Sequence, residues 1–149
     1  MKEKPDITFF DRDEIAVSSY MVDDYYFLPV YGIIPCGRKN CMDDDLSGYL
    51  KVPISWLGEG DFYVLRAKGD SMINAGINDG DLVIVKKQCF ADNDQIAVVY
   101  IEGETTLKRI HWNPSENTVI LLPANDAYMP LVVSKCEILG IAVQIIKDI

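Results

Sequence analysis

Gln95-Ile96-Ala97-Val98-Val99-Tyr100-Ile101 runs into Glu102-Gly103-Glu104 and out again through Thr105-Thr106-Leu107-Lys108-Arg109-Ile110. Two stretches rich in Val, Ile, Thr and Tyr flank a polar turn holding a glycine, which is a strand-turn-strand pattern. The same texture repeats on either side, in Tyr25 to Ile34, Phe62 to Ala67, Leu82 to Val85, Thr118 to Leu122 and Ile138 to Ile146. Turn-forming clusters separate the runs: Asn78-Asp79-Gly80-Asp81, Asp92-Asn93-Asp94, Asn113-Pro114-Ser115 and Pro123-Ala124-Asn125. Short strands at this spacing predict a mostly β chain, an antiparallel, partly open barrel or sandwich. One place suits a helix, the turn or two that begins at Ser71 and ends before Gly76. Residues before about 25 keep no steady period and read as an extended arm. Arg38 to Ser47 is polar and acidic and reads as a loop.

Composition narrows the function classes. The chain has 149 residues, 49% of them apolar, enough for one domain with a buried core. Its net charge of -9 argues against gripping phosphates unaided. Ten carboxylates and five basic residues precede Leu46, so that stretch reads as a solvated arm. No apolar run is long enough to span a membrane, and no signal-peptide pattern opens the chain. The four cysteines lack tight pairing and there is one histidine, which favours reduced thiols in a cytoplasm over a disulfide frame or a metal site; no cofactor is expected.

Two polar residues stand out. Ser71 lies in Gly69-Asp70-Ser71-Met72, where Gly69 permits a sharp turn and a helix start would point backbone N–H groups outward. Lys108 follows 37 residues later on a predicted strand. A serine hydroxyl needs a base to become a nucleophile, and a lysine serves only if burial keeps its amine neutral. On a strand, Thr106, Lys108 and Ile110 share one face; if that face turns inward, Lys108 loses water and its pKa falls. His111, beside Trp112, reads as a strand-end or packing residue. Taken alone, Asp70 or Ser71 equally suits a simple helix cap.

The ordered set of motifs is more specific than any member. Gly32-Ile33-Ile34-Pro35-Cys36-Gly37, Gly69-Asp70-Ser71-Met72, Gly76-Ile77 with Asp79-Gly80-Asp81, Glu102-Gly103-Glu104-Thr105 leading to Lys108, Leu122-Pro123-Ala124-Asn125 and Tyr128-Met129-Pro130 follow one another across roughly Tyr31 to Lys147. In this the chain resembles the self-cleaving Ser-Lys peptidase domain shared by LexA, the lambda-type phage repressors and UmuD.

The resemblance implies Ser71 as nucleophile, Lys108 as base, and the backbone N–H groups of Ser71 and Asp70 as oxyanion donors. It implies a cut between Cys36 and Gly37, where a small residue enters a narrow pocket and glycine lets the chain bend. Ile34 would fill an apolar pocket and Pro35 would sit in the recognised segment. Pro35 departs from many relatives, which carry a small non-proline residue there; it removes one N–H. The same three residues, Pro35-Cys36-Gly37, also suit a plain turn. On this reading residues 1–45 are an arm and cleavage-site loop, and residues 46–149 a peptidase and dimerisation domain. The expected partners are a second copy and an activating RecA-like filament. The roles implied are the regulatory part of a LexA-like repressor in the DNA-damage response, a UmuD-like accessory subunit of an error-prone polymerase, or a non-cleaving dimerisation domain. About 36 residues precede the bond, too few for a helix-turn-helix domain and linker, so DNA contact is expected only through a domain absent from this sequence.

Overall fold

Val, Ile, Leu and Tyr fill consecutive positions in the central runs, with none of the alternation of a strand that wets one face. Such runs demand cover on both sides. The structure, a computed structural model described here for residues 19–32 and 46–147, supplies it. Its strands are β1 (Tyr20–Val22), β2 (Tyr25–Tyr31), β3 (Leu46–Pro53), β4 (Phe62–Arg66), β5 (Leu82–Lys86), β6 (Ile96–Ile101), β7 (Glu104–Asn113), β8 (Thr118–Leu122), β9 (Leu131–Val133) and β10 (Glu137–Ile146). They join in one open sheet ordered β1-β2-β4-β5-β10-β6-β7-β8-β9, with β3 also paired to β2. Helix is confined to two single 3-10 turns among the described residues, Ile54–Trp56 and Ile73–Ala75. The second follows Ser71, where the sequence placed its one helix. All ladders are antiparallel except the short parallel contact of Val30 and Tyr31 with Val64 and Leu65.

In β4, Phe62 and Val64 face a cluster with Leu28, Val52 and Ile84, while Tyr63 and Leu65 face another with Val83, Val98, Met72 and Leu107. A third cluster gathers Ala97, Val99, Ile110, Val119 and Leu121. Complete burial of Leu28, Val64 and Ile84 stabilises the fold by roughly 1.5–3 kcal/mol each.

Several sequence expectations shift. Tyr20–Val22, expected in the arm, pairs with Tyr25–Phe27. Leu46–Pro53, expected as loop end and connection, lies along the whole of β2. Trp56 and Trp112, expected in a core or an interface, are half-exposed, and Trp112 Nε1 donates to the Ala91 carbonyl. The expected strand to Ile34 is seen as far as Tyr31; Ile34, Pro35, Cys36 and Gly37 lie outside the described residues.

Strand β10 bends so that its first half pairs with β6 and its second with β5, through irregularities between Ile138 and Gly140 and between Ala142 and Gln144. Gly140 makes the bend possible. A Cβ there would stand 2.5 Å from the Lys86 carbonyl oxygen and 2.6 Å from Val85 Cγ1. Gly140→Ala is expected to destabilise the chain by about 3 kcal/mol and lower Tm by about 10 °C, readable by thermal unfolding; an unchanged Tm would show that the backbone yields there.

Candidate active site

The segment between β4 and β5 carries Ser71, and it is braced from two sides. On one side, Ala67 N–H donates to the Asp81 carbonyl, Gly80 N–H to the Ala67 carbonyl, and Gly69 N–H to Asp79 Oδ1 at 2.8 Å. Gly69 sits at φ +81°, a left-handed conformation that costs glycine little and turns the chain sharply before the serine. The Asp81 carboxylate anchors this turn to the end of the chain by accepting from Asn78 N–H and Lys147 Nζ. On the other side, Ala124 N–H donates to the Ser71 carbonyl at 2.7 Å and Asn74 N–H to the Ala124 carbonyl. Asn125 Nδ2 donates to the Asp70 carbonyl at 2.7 Å, and the Tyr128 hydroxyl donates to Asp70 Oδ1 at 2.5 Å.

Lys108 comes from the middle of β7. It stands opposite the fully buried Ala97 in the β6–β7 ladder. Its Nζ lies 3.4 Å from Ser71 Oγ, 2.8 Å from Thr106 Oγ1 and 3.1 Å from the Leu107 carbonyl oxygen. No carboxylate bonds the amine among the described residues. Burial lowers its pKa from the ordinary lysine value. Thr106 and Lys108 share a face as the sequence expected. Ile110 keeps to that face too, packing with Ala97 and Val99, the ladder partners of Lys108 and Thr106, while Leu107 on the other face packs against Met72.

A neutral amine has two N–H bonds and one lone pair. The Leu107 carbonyl and the Thr106 hydroxyl can take the two hydrogens, which leaves the lone pair for the Ser71 proton. Among the described residues, the backbone N–H groups of Asp70 and Ser71 donate no hydrogen bond, so both are available to an anion. A cavity of about 270 Å³ opens beside Ser71, with Leu65, Ala67, Met72, Ile77 and Leu107 among its apolar walls. Gly32, the residue following β2, also lines it. The arrangement holds an alcohol, a partly desolvated amine and N–H donors that no described residue takes up, at the mouth of an apolar pocket.

The lowered pKa has a stability consequence. The folded state disfavours the ammonium, so stability is greatest above the ordinary amine value and is lost as pH falls through the lowered one. Lys108→Met should therefore be more stable than the parent chain at pH 7, with the gain shrinking toward pH 11 in thermal melts. A Tm equal to or below the parent's at pH 7 would deny the burial cost.

Sequence reasoning brought Ser71, Asp70 and Lys108 together and the structure places them together. His111 lies exposed on β7. The bonds of Asn125 and Tyr128 to Asp70 went unread: partners 55 and 58 residues apart leave no local pattern.

A sequence model of the family described as Peptidase S24-like matches residues 29–143. The chain is 38% identical over 122 residues to the LexA repressor of Carboxydothermus hydrogenoformans, covering 80% of this chain and 59% of that protein. It is 35% identical over 123 residues to the LexA repressor of Corynebacterium efficiens, covering 83% and 52%. It is 35% identical over 131 residues to the LexA repressor of Caldicellulosiruptor saccharolyticus, covering 84% and 64%. It thus spans between half and two thirds of the length of these relatives. The family match runs from β2 into β10 and takes in both Ser71 and Lys108, and the chain belongs to the peptidase S24-like family.

Proposed function

We propose that this chain is a serine endopeptidase of the Ser-Lys type that cuts its own Cys36–Gly37 bond, and that it is the regulatory part of a LexA-like transcriptional repressor. The observation that carries this is the 3.4 Å approach of Lys108 Nζ to Ser71 Oγ, with the amine depressed by burial. Neutral Lys108 takes the Ser71 proton as Oγ attacks the Cys36 carbonyl carbon. The N–H groups of Ser71 and Asp70 hold the oxyanion. Lys108, now an ammonium, protonates the departing Gly37 amine, and water then frees Cys36 as a carboxylate. Ile34 and Pro35 are the recognised residues ahead of the cut.

Tethering supports cleavage within one chain. Gly32 lies in the cavity wall, and Cys36 follows it by four residues, a reach of about 14 Å at full extension. A bond held that close meets the nucleophile at high effective concentration. The LexA repressors among its relatives support the repressor role. With it come a homodimer, DNA contact through a helix-turn-helix domain outside this chain, and a RecA-like filament that favours the cleaving conformation, as in a DNA-damage response. The same proposal gives the cleavage loop to the first 45 residues, whose strands β1 and β2 are built into the sheet, and the catalytic and dimerising part to residues 46–149.

The test is intact mass after incubation at neutral and alkaline pH. Two products, residues 1–36 and 37–149, are expected. A chain that stays whole at alkaline pH, or a cut at another bond, contradicts the proposal.

A further inference from the structure

The Asp70 carboxylate sits one residue before the nucleophile, in a turn. An aspartate there ordinarily accepts from backbone N–H groups two or three residues on, making an Asx turn or a helix cap. Those groups are Met72 and Ile73, next to the Ser71 N–H. In this structure the carboxylate does neither. The 3-10 turn Ile73–Ala75 carries no side-chain cap, and Ile73 N–H donates to the Asp70 main-chain carbonyl. The carboxylate is engaged by the Tyr128 hydroxyl at 2.5 Å, while Asn125 Nδ2 fixes the Asp70 carbonyl. Met72 N–H, like that of Ser71, donates no hydrogen bond among the described residues.

A carboxylate seated over the Ser71 and Met72 N–H groups would occupy those donors and place a fixed negative charge where the oxyanion develops, and like charges at that range repel. From this we infer that Tyr128 is a positioning residue for cleavage: its hydroxyl withholds the Asp70 carboxylate from the N–H groups beside Ser71 and so keeps the oxyanion site open. The inference rests on the Ser71–Lys108 reading above. The same bond raises the Tyr128 pKa, because the carboxylate holds the phenol proton.

The test compares first-order self-cleavage of the full chain at alkaline pH, by intact mass, with Tm measured alongside. Tyr128→Phe frees the carboxylate to cap the turn. Cleavage should slow about tenfold while Tm stays within about 2 °C of the parent, since a bond from backbone N–H to the carboxylate replaces the one from the tyrosine hydroxyl. Asp70→Ala keeps the backbone N–H and removes the competing carboxylate, so Asp70→Ala/Tyr128→Phe should recover most of the lost rate. A merely structural tyrosine would give a double variant as slow as Tyr128→Phe or slower, and that result overturns the inference. So does Tyr128→Phe cleaving at the parent rate; both results leave the dyad standing. Cleavage that persists in Ser71→Ala overturns the dyad and this inference with it.

Discussion

Ser71→Ala will leave the Cys36–Gly37 bond intact under alkaline conditions in which the parent chain divides, a loss of at least about a thousandfold in rate. The alanine keeps every backbone feature of the site: the bond from Ala124 to the Ser71 carbonyl, the Ser71 N–H, which donates to none of the described residues, and the cavity walls. Only the attacking oxygen is gone. Ser71 is half-buried, so the fold loses little and Tm should move by no more than a degree or two. Lys108→Arg should be as inert for another reason. A guanidinium stays protonated throughout the accessible pH range and cannot accept the serine proton. Cleavage by either variant at a rate near the parent's would remove that residue from the mechanism.

The second large effect is the dependence on pH. Below the Lys108 pKa, the neutral fraction of the amine grows tenfold for each pH unit, and the rate of self-cleavage without a partner should grow with it. It should then level off at a pH below the ordinary lysine value, since burial lowers the amine's pKa. A partner that favours docking of the cleavage segment would raise the rate at every pH without moving the midpoint. First-order rates from intact mass across pH 6 to 11 provide the check. A flat profile would mean that no titrating base limits the reaction, and a rise continuing past the ordinary value would mean that the amine is not desolvated.

Much of this was legible in the chain because the central strands are apolar at successive positions. Phe62–Arg66, Leu82–Lys86, Ile96–Ile101 and Thr118–Leu122 announce themselves by β-branched and aromatic content between turn signals. Leu46–Pro53 does not. Gly48, Ser47 and Lys51 dilute it, and only Val52 is fully buried, so its strand character comes from pairing with β2 rather than from its own composition. Tyr20–Val22 and Leu131–Val133 are three residues each, too short to carry a period. The Ser71–Lys108 pair was reached through motif order and a chemical demand for a buried amine. Thr106 was legible as a neighbour because a strand repeats every two residues. The Asp70 clamp was not, since it is a contact between two loops distant in sequence and exists only once the sheet has brought β8 beside the nucleophile turn.

The charge state of one amine underlies the mechanism. Its most direct measurement is an NMR titration of Lys108, followed at its side-chain carbon next to nitrogen in Ser71→Ala, which keeps the chain whole at high pH. The expected result is a single midpoint clearly below the exposed lysines of the same molecule. A midpoint at or above theirs would mean that Lys108 is an ordinary ammonium and cannot serve as the base.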